Sequence, residues 1–254
     1  MWNTIFIQPT LNLLIAFYHL FFSNLGLAIL GMTAFIRLLL FPLTLPTLKM
    51  AEKQKKLQPE LEKIKKKHKD DKERLAREQM KLMKDEGVNP ALGCLPQIIQ
   101  LVILIALYQV FIKVLLADSQ NIGTLNNLLY FNFLKLPPGA EIGTRFLYLE
   151  LSKPDPYYVL PILAGLSQWG MTRIGKPKKT AVKEGVEKEK ENDIMGDMQS
   201  QMGILFPLMT VFIGLKLQSG LVLYWLASVL VSMAQQWWVA KNLKAQMSNV
   251  KNTS

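Results

Sequence analysis

The amino-acid sequence predicts an all-α polytopic membrane protein with five transmembrane helices, an amino-terminal interfacial helix and a cytoplasmic helical hairpin, all within one domain. Half of the 254 residues are hydrophobic and the mean hydropathy is positive, although the chain carries 30 basic and 19 acidic residues. Residues 1–48 hold a single charge, whereas residues 49–86 hold 14 basic and 9 acidic side chains. Long uncharged apolar stretches beside such a charged segment are typical of membrane spans.

Five apolar segments are candidates to cross a hydrocarbon core of about 30 Å at about 1.5 Å per residue. They cover residues 26–46, 92–112, 157–172, 202–215 and 217–240. The third is short, so it needs its flanking residues or a locally thin bilayer to cross. The last two form one block, which polar residues such as Lys216 and Gln218 interrupt, and a tight hairpin of two spans is expected there.

Residues 1–23 are apolar, but Pro9 and Asn12 interrupt them and very few residues follow before the next apolar run. An amphipathic helix in the membrane interface is therefore favoured over a spanning helix. The segment lacks a basic region and a small-residue cleavage site, so it is not expected to be a signal peptide.

The basic residues predict the orientation of the chain. Residues 49–86, 173–190 and the tail after residue 240 together hold 24 of the 30 lysines and arginines, and all three fall on one side of the five spans. The positive-inside rule makes that side cytoplasmic. The amino end is then outside, and both the loop 173–200 and the tail 241–254 are inside.

The segment 49–86 is predicted to form a helical hairpin. Pro59 suits the first turn of one helix, whose narrow apolar stripe is Leu57, Leu61 and Ile64. The second helix has Leu75 and Leu82 one heptad apart. Two thin stripes of this kind can pack as an antiparallel coiled coil outside the membrane.

Arg37 is the twelfth residue of the first span, which places it near the bilayer midplane. A charge there costs about 2.5–3.5 kcal/mol on insertion scales, so it needs a compensating environment. One interpretation is a structural ion pair, but the other four spans contain no Asp or Glu. A water-filled cavity around the arginine is therefore favoured.

Polar side chains on the other spans agree with a cavity, because they recur on single helix faces. They are Thr33 in the first span, Gln97 and Gln100 in the second, Gln168 in the third, and Tyr224, Ser228, Ser232 and Gln235 in the fifth. Each stripe alone is more typical of hydrogen bonds between helices. Together with an unpaired arginine, they favour a hydrophilic chamber.

Catalytic and cofactor signatures are weak. The chain has one cysteine, Cys94, and two histidines, His19 and His68, so neither a disulfide framework nor a metal site is expected. Ser167 lies in G-x-S-x-x-G, which is not the spacing of a nucleophile elbow. Neither an enzyme nor a cofactor is expected.

Four segments carry a resemblance to a known family. They are the run from Ala34 to Thr44 around Arg37, the segment Pro59-Glu-Leu-Glu-Lys-Ile, the run Gly87-Val-Asn-Pro-Ala-Leu-Gly-Cys-Leu-Pro-Gln-Ile-Ile-Gln100, and Ser219-Gly-Leu-Val-Leu-Tyr-Trp with the later Gln235-Gln236. In order and over nearly the whole chain they resemble the YidC/Oxa1/Alb3 membrane protein insertases.

The resemblance implies a five-span core with a hydrophilic groove that is open to the cytoplasm and to lipid and closed outside. It makes Arg37 the groove arginine and Thr33 its neighbour, and it places Tyr224 and Trp225 where the family contacts substrate helices. The partners it implies are nascent membrane proteins, the lipid bilayer, the ribosome and the Sec translocon, with ribosomal RNA as the sole nucleic acid.

Several family features are not visible in this sequence. Neither the large extracytoplasmic domain of Gram-negative members nor the lipoprotein signal common in Gram-positive ones is expected from these residues. Residues 241–254 are only modestly basic, so strong ribosome binding is not expected. Because it shows no transit peptide, a bacterial cytoplasmic (inner) membrane is expected rather than an organelle.

The function expected from these observations is the insertion of nascent transmembrane segments into the bilayer. Two alternatives stay open on the residues alone. One is a small channel or transporter with an anion site at Arg37, and the other is a membrane anchor that binds the ribosome or nucleic acid through residues 49–86.

Overall fold

The computed structural model describes residues 1–68, 71–89, 95–115, 122–175 and 194–253. Outside these ranges lie Cys94, the first residues of the predicted span 92–112, residues 176–193 of the predicted loop 173–200, and the last residue of the tail 241–254. The described part is mostly helical, in agreement with the predicted fold class. It also contains one two-stranded antiparallel sheet, which the sequence did not predict.

The elements follow one another as helices with one short strand pair. A π-helical turn, Asn3–Ile7, leads into α1 (Gln8–Leu20), α2 (Leu25–Leu39), α3 (Phe41–Lys67), α4 (Lys72–Asp85), α5 (Leu95–Leu115) and α6 (Ile122–Asn126). After a 3-10 turn, Asn132–Leu134, come β1 (Arg145–Phe146), β2 (Leu149–Glu150), α7 (Val159–Gly175), α8 (Ile194–Gly214) and α9 (Ser219–Thr253).

The predicted span 26–46 is not one helix, because α2 ends at Leu39 and α3 leaves it at 69°. Pro42 lies in the first turn of α3, where its missing N–H and its ring prevent the α2 hydrogen-bond ladder from continuing. The prediction that Pro59 begins a helix was also wrong, since Pro59 lies inside α3. One helix therefore runs from the bend at Leu40 through most of the predicted hairpin's first arm.

In the described residues, no single helix has both the length and the hydropathy of a membrane span, and one bent pair, α2 with α3, meets that criterion jointly. The count of five spans stays a prediction.

The ends of the last three helices differ from the sequence boundaries. Residues 173–175 belong to α7 and residues 194–200 to α8, so both ends of the predicted loop 173–200 are helical. The predicted tail 241–254 continues α9 as far as Thr253. The predicted interruption between the last two spans is present, because α8 ends at Gly214 and α9 begins at Ser219.

The main hydrophobic core joins α1, α2, α5, α7, α9 and the loop that precedes α7. The amino-terminal segment contributes a full face to it, including Leu11, Leu14 and Ile15, each with no exposed surface. Asn12 is buried in the same face and ties α1 to the loop: its side chain donates to the Leu128 carbonyl at 3.0 Å and accepts from the Tyr130 amide at 2.7 Å.

The arms α3 and α4 form a hairpin with a small apolar cluster of its own. Leu57 on α3 and Met83 on α4 are buried in that cluster together with Val88. The buried stripe of α4 is Leu75, Gln79 and Met83, spaced by four residues. Leu82, which the heptad spacing predicted, is only partly buried, because a four-residue repeat keeps one face of α4 against its neighbour.

Candidate functional site

Three helices bring polar side chains together around Arg37. Arg37 Nε donates to Ser228 Oγ at 2.8 Å, and Nη2 donates to both Ser228 Oγ and Gln100 Oε1. Ser228 in turn donates to Gln100 Oε1 at 3.0 Å, and Gln100 Nε2 donates to the Tyr224 hydroxyl at 3.4 Å. We call Arg37, Gln100, Tyr224 and Ser228 the arginine cluster.

Helical periodicity explains why these residues meet. Tyr224 and Ser228 are one turn apart on α9, and Gln235 lies two turns further along the same helix. The Gln235 side-chain amide donates to the backbone carbonyl of Arg37 at 2.9 Å. α9 therefore contacts the arginine through its side chain and through its backbone.

The electrostatics of the cluster are unusual for a partly buried arginine. The hydrogen-bond acceptors that the described residues provide to the guanidinium are the neutral oxygens of Ser228 and Gln100. Buried charges in proteins are usually paired with an opposite charge, since desolvation is costly. Neutral acceptors stabilise the guanidinium without neutralising it, so as far as the described residues go its positive charge can attract an anion.

The other predicted site residues occupy different settings. Thr33 is buried and donates to the Ile29 carbonyl of its own helix at 2.6 Å, and Ser232 donates to the Ser228 carbonyl at 2.8 Å. Gln168 on α7 and Trp225 on α9 are buried. The side chain of Gln97 lies outside the described part of the chain.

Two glutamines outside the predicted site are also notable. Gln236 is buried, and its Oε1 atom has no hydrogen-bond partner among the described residues. Gln109 on α5 accepts a hydrogen bond from the Trp2 indole at 3.1 Å, which connects the amino-terminal segment to α5. Gln236 is adjacent to Gln235 in the sequence, but helical spacing places only Gln235 on the face of α9 that carries Ser228.

A wide apolar surface lies outside the cluster on α7 and α8. Its exposed members are Val159, Ile162, Leu163, Leu166 and Trp169 on α7, and Ile204, Leu205, Leu208, Met209, Phe212 and Ile213 on α8. Water-soluble monomers rarely expose contiguous apolar patches of this extent, so the surface fits contact with lipid or with apolar partner helices.

Among the described residues, a partly buried arginine held by neutral polar side chains and a wide exposed apolar surface on α7 and α8 are together features of the general class of membrane proteins. The family model described as 60Kd inner membrane protein matches residues 16–246, and the chain belongs to that family. Membership places it in the bacterial inner membrane.

The chain is similar to several proteins named membrane protein insertase YidC. It is 32% identical over 241 residues to the one from Nitratidesulfovibrio vulgaris Miyazaki F, covering 94% of this chain and 39% of that protein. It is 35% identical over 239 residues to the one from Haemophilus ducreyi, with 94% and 38% covered. For Cellvibrio japonicus the identity is 33% over 228 residues, with 90% and 34% covered. The chain thus spans less than two fifths of the length of these relatives.

Proposed function

We propose that this protein is a membrane protein insertase that moves nascent transmembrane segments from the cytoplasm into the lipid bilayer through a hydrophilic groove. The observation that carries the proposal is the partly buried Arg37 held by the neutral side chains of Gln100 and Ser228. The name shared by the relatives supports the same function.

The proposed groove combines the arginine cluster with Thr33, Gln97, Gln168, Trp225, Ser232 and Gln235. An acidic or polar flank of a client segment enters it and is attracted by Arg37, because a Coulomb interaction is stronger there than in bulk water. The polar side chains hydrate the flank during passage. No covalent chemistry and no cofactor are needed.

Release of the client into lipid requires an apolar path. The exposed residues of α7 and α8, such as Leu163 and Leu208, offer one beside the groove. Transfer of an apolar client helix gains about 25 cal/mol per Å² of buried apolar surface, which drives the segment outward. The hydrophobic effect on the client is then the energy source.

The proposed topology has five spans, an interfacial segment 1–23, the hairpin 49–86 in the cytoplasm and the carboxyl end inside. The charge distribution supports it, since the hairpin carries 14 of the 30 lysines and arginines. The ribosome and the Sec translocon are proposed partners on the cytoplasmic side and in the membrane.

Complementation of an insertase-depleted bacterium tests the function directly. We expect the intact chain to restore growth and insertion. Arg37→Ala should impair clients with acidic amino-terminal flanks, Arg37→Lys should retain much of the activity, and neutralising the client's acidic residues should remove the difference.

The control is protein stability. In the Arg37→Ala variant, Ser228 can still donate to Gln100. The free energy of unfolding should therefore change by no more than about 1 kcal/mol. Equal loss for acidic and neutral clients, with a marked fall in melting temperature, would contradict electrostatic capture by Arg37.

Cysteine labelling tests the topology. In a protein without Cys94, single cysteines at Asn3, Lys65, Gly139 and Asn252 should react with an impermeant thiol reagent from outside, inside, outside and inside. Labelling at residue 3 from the cytoplasmic side alone would contradict the interfacial segment 1–23 and would indicate a sixth span.

A further inference from the structure

Three turns lie at one end of the molecule, together with the loop before α7. They are the α1–α2 turn, the β1–β2 turn and the turn at the start of α7. The Tyr18 hydroxyl near the end of α1 accepts a hydrogen bond from the Gly143 amide at 3.3 Å. His19 lies 3.1 Å from the Leu134 carbonyl in the same loop. The rings of Tyr148 and Tyr157 are 5.6 Å apart and connect the β1–β2 turn to the start of α7. These contacts place the α1–α2 turn, the β1–β2 turn and the start of α7 at a common end, which we call the loop end.

Each of these three turns holds a large residue in a left-handed backbone conformation. The φ angles are 54° at Phe22, 55° at Leu147 and 58° at Tyr158. Glycine or asparagine usually occupies such positions, because a Cβ atom crowds the carbonyl oxygen there. Leu147 is the first central residue of a two-residue hairpin turn, a place where a positive φ strongly favours glycine.

The strained residues are also exposed. Phe22 has 95% of its surface exposed, Leu147 84% and Tyr158 54%. Packing inside the protein therefore does not explain why large side chains occupy these turns. Phe131 and Phe133, stacked at 5.3 Å, are exposed in the same loop.

We propose that Phe22, Leu147 and Tyr158, with Phe131 and Phe133, insert into the interface of the outer leaflet and anchor the loop end on phospholipid. Backbone strain is retained at sites where it serves a function, and here it directs apolar side chains outward at the tips of turns. This proposal rests on the membrane placement in the proposed function.

Two observations favour lipid over a protein partner. First, the patch continues directly into the apolar surface of α7, since Tyr158 precedes the exposed Val159 and Ile162 is one turn further on. Second, four of the five side chains in the patch are aromatic, and Tyr158 has the amphipathic ring that is enriched at the headgroup level of membranes.

The test uses the full chain with Cys94 replaced, in vesicles of phosphatidylethanolamine and phosphatidylglycerol. Single cysteines at Phe22 and Leu147 carry an environment-sensitive fluorophore, and the matched control carries it at Glu141, a charged exposed residue in the same loop. Quenching is measured with iodide in water and with lipids that bear a nitroxide near the headgroup. A fourth label at Ile162 reports on α7.

We expect the labels at Phe22 and Leu147 to be blue-shifted, protected from iodide and quenched by the headgroup nitroxide, and the label at Glu141 to be quenched by iodide. Iodide quenching at all three positions would overturn the anchor. Protection from both quenchers would also overturn it, since it would indicate a protein partner.

The Ile162 label separates the two proposals. If it is quenched by lipid while the Leu147 label is in water, the anchor fails and the membrane placement stands. If the Ile162 label is also in water, the membrane placement itself fails.

Discussion

The side-chain amide of Gln235 donates a 2.9 Å hydrogen bond to the backbone carbonyl of Arg37, in the last turn of α2. That turn lies immediately before the 69° bend, where helix carbonyls lose the regular donors of a continuing helix. Gln235 therefore provides a donor from α9 at the point where α3 departs. The Gln235 side chain therefore links the arginine cluster to the bend that sets the direction of α3.

Gln235→Ala should loosen this bend. Loss of the hydrogen bond should lower the free energy of unfolding by about 1 kcal/mol and broaden the range of α3 orientations. The orientation can be measured as a distribution of distances between spin labels on α3 and α7. Ser232→Ala is the matched control, because its hydroxyl bonds to a carbonyl of its own helix. An unchanged distribution for Gln235→Ala would show that the bend depends on Pro42 alone.

Sequence periodicity indicated which polar residues share a face of α9, but it did not indicate the bend between α2 and α3, and both outcomes have physical reasons. Residues such as Tyr224, Ser228 and Gln235 share a face because helical spacing is local, so their convergence could be read from spacing. The bend between α2 and α3 depends on contacts with α9, such as the bond from Gln235. These contacts join residues that are far apart in the sequence, so local spacing around Pro42 does not reveal them. In the same way, the heptad predicted Leu82 and the structure buries Met83, because the contact with α3 selects the face.

Met83→Ala should loosen the hairpin without melting the rest of the bundle. Met83 is 1% exposed and packs with Leu57 in a cluster separate from the main core. The substitution should cost about 2 kcal/mol of local stability, the low end for a buried methionine because the cluster is small. Hydrogen exchange of the α4 amides measures it.

Leu82→Ala provides the control for this prediction, since Leu82 is only partly buried on the same helix. Its effect on α4 exchange should be clearly smaller. A larger effect for Leu82 than for Met83 would mean that the predicted heptad face, not the observed one, meets α3.

The stability of the loop end should depend on pH through the ionisation of Tyr148. Partial burial raises the pKa of Tyr148 above 10.0, and the charge and hydrogen bond of Asp155 raise it further. The folded state thus holds the phenol proton to a higher pH than the unfolded state. The resulting stabilisation is present below pH 10 and is lost as the pH rises through the folded pKa.

Asp155→Asn tests the contribution of the carboxylate. Asp155 accepts from the Tyr157 amide with Oδ1 at 3.0 Å and from the Leu160 amide with Oδ2 at 2.7 Å, so the single oxygen of asparagine keeps one of these two bonds and the start of α7 should loosen. The pH midpoint of the Tyr148 phenol titration, followed by NMR of ring-labelled tyrosine, should fall. Glu141→Gln removes a carboxylate elsewhere in the loop and should leave the midpoint unchanged. If both variants behave alike, Asp155 does not act on Tyr148 directly.

Gly165 should be required for the close approach of α7 to α8. A Cβ atom at Gly165 would lie 2.3 Å from Val211 Cγ2 and 3.2 Å from the Pro207 carbonyl oxygen. Small residues allow helices in membranes to pack at short range, so Gly165→Ala should force the helices apart and lower the melting temperature by several degrees. Gly170→Ala on the same helix is the control, since its Cβ would meet Met233 Cε at an ordinary 3.6 Å.

Val211→Ala should restore part of the stability that Gly165→Ala loses, because it removes the clashing methyl group. A double-mutant cycle measures this coupling. Additive effects in the cycle would show that the backbone contact with Pro207, rather than the Val211 side chain, sets the distance between α7 and α8.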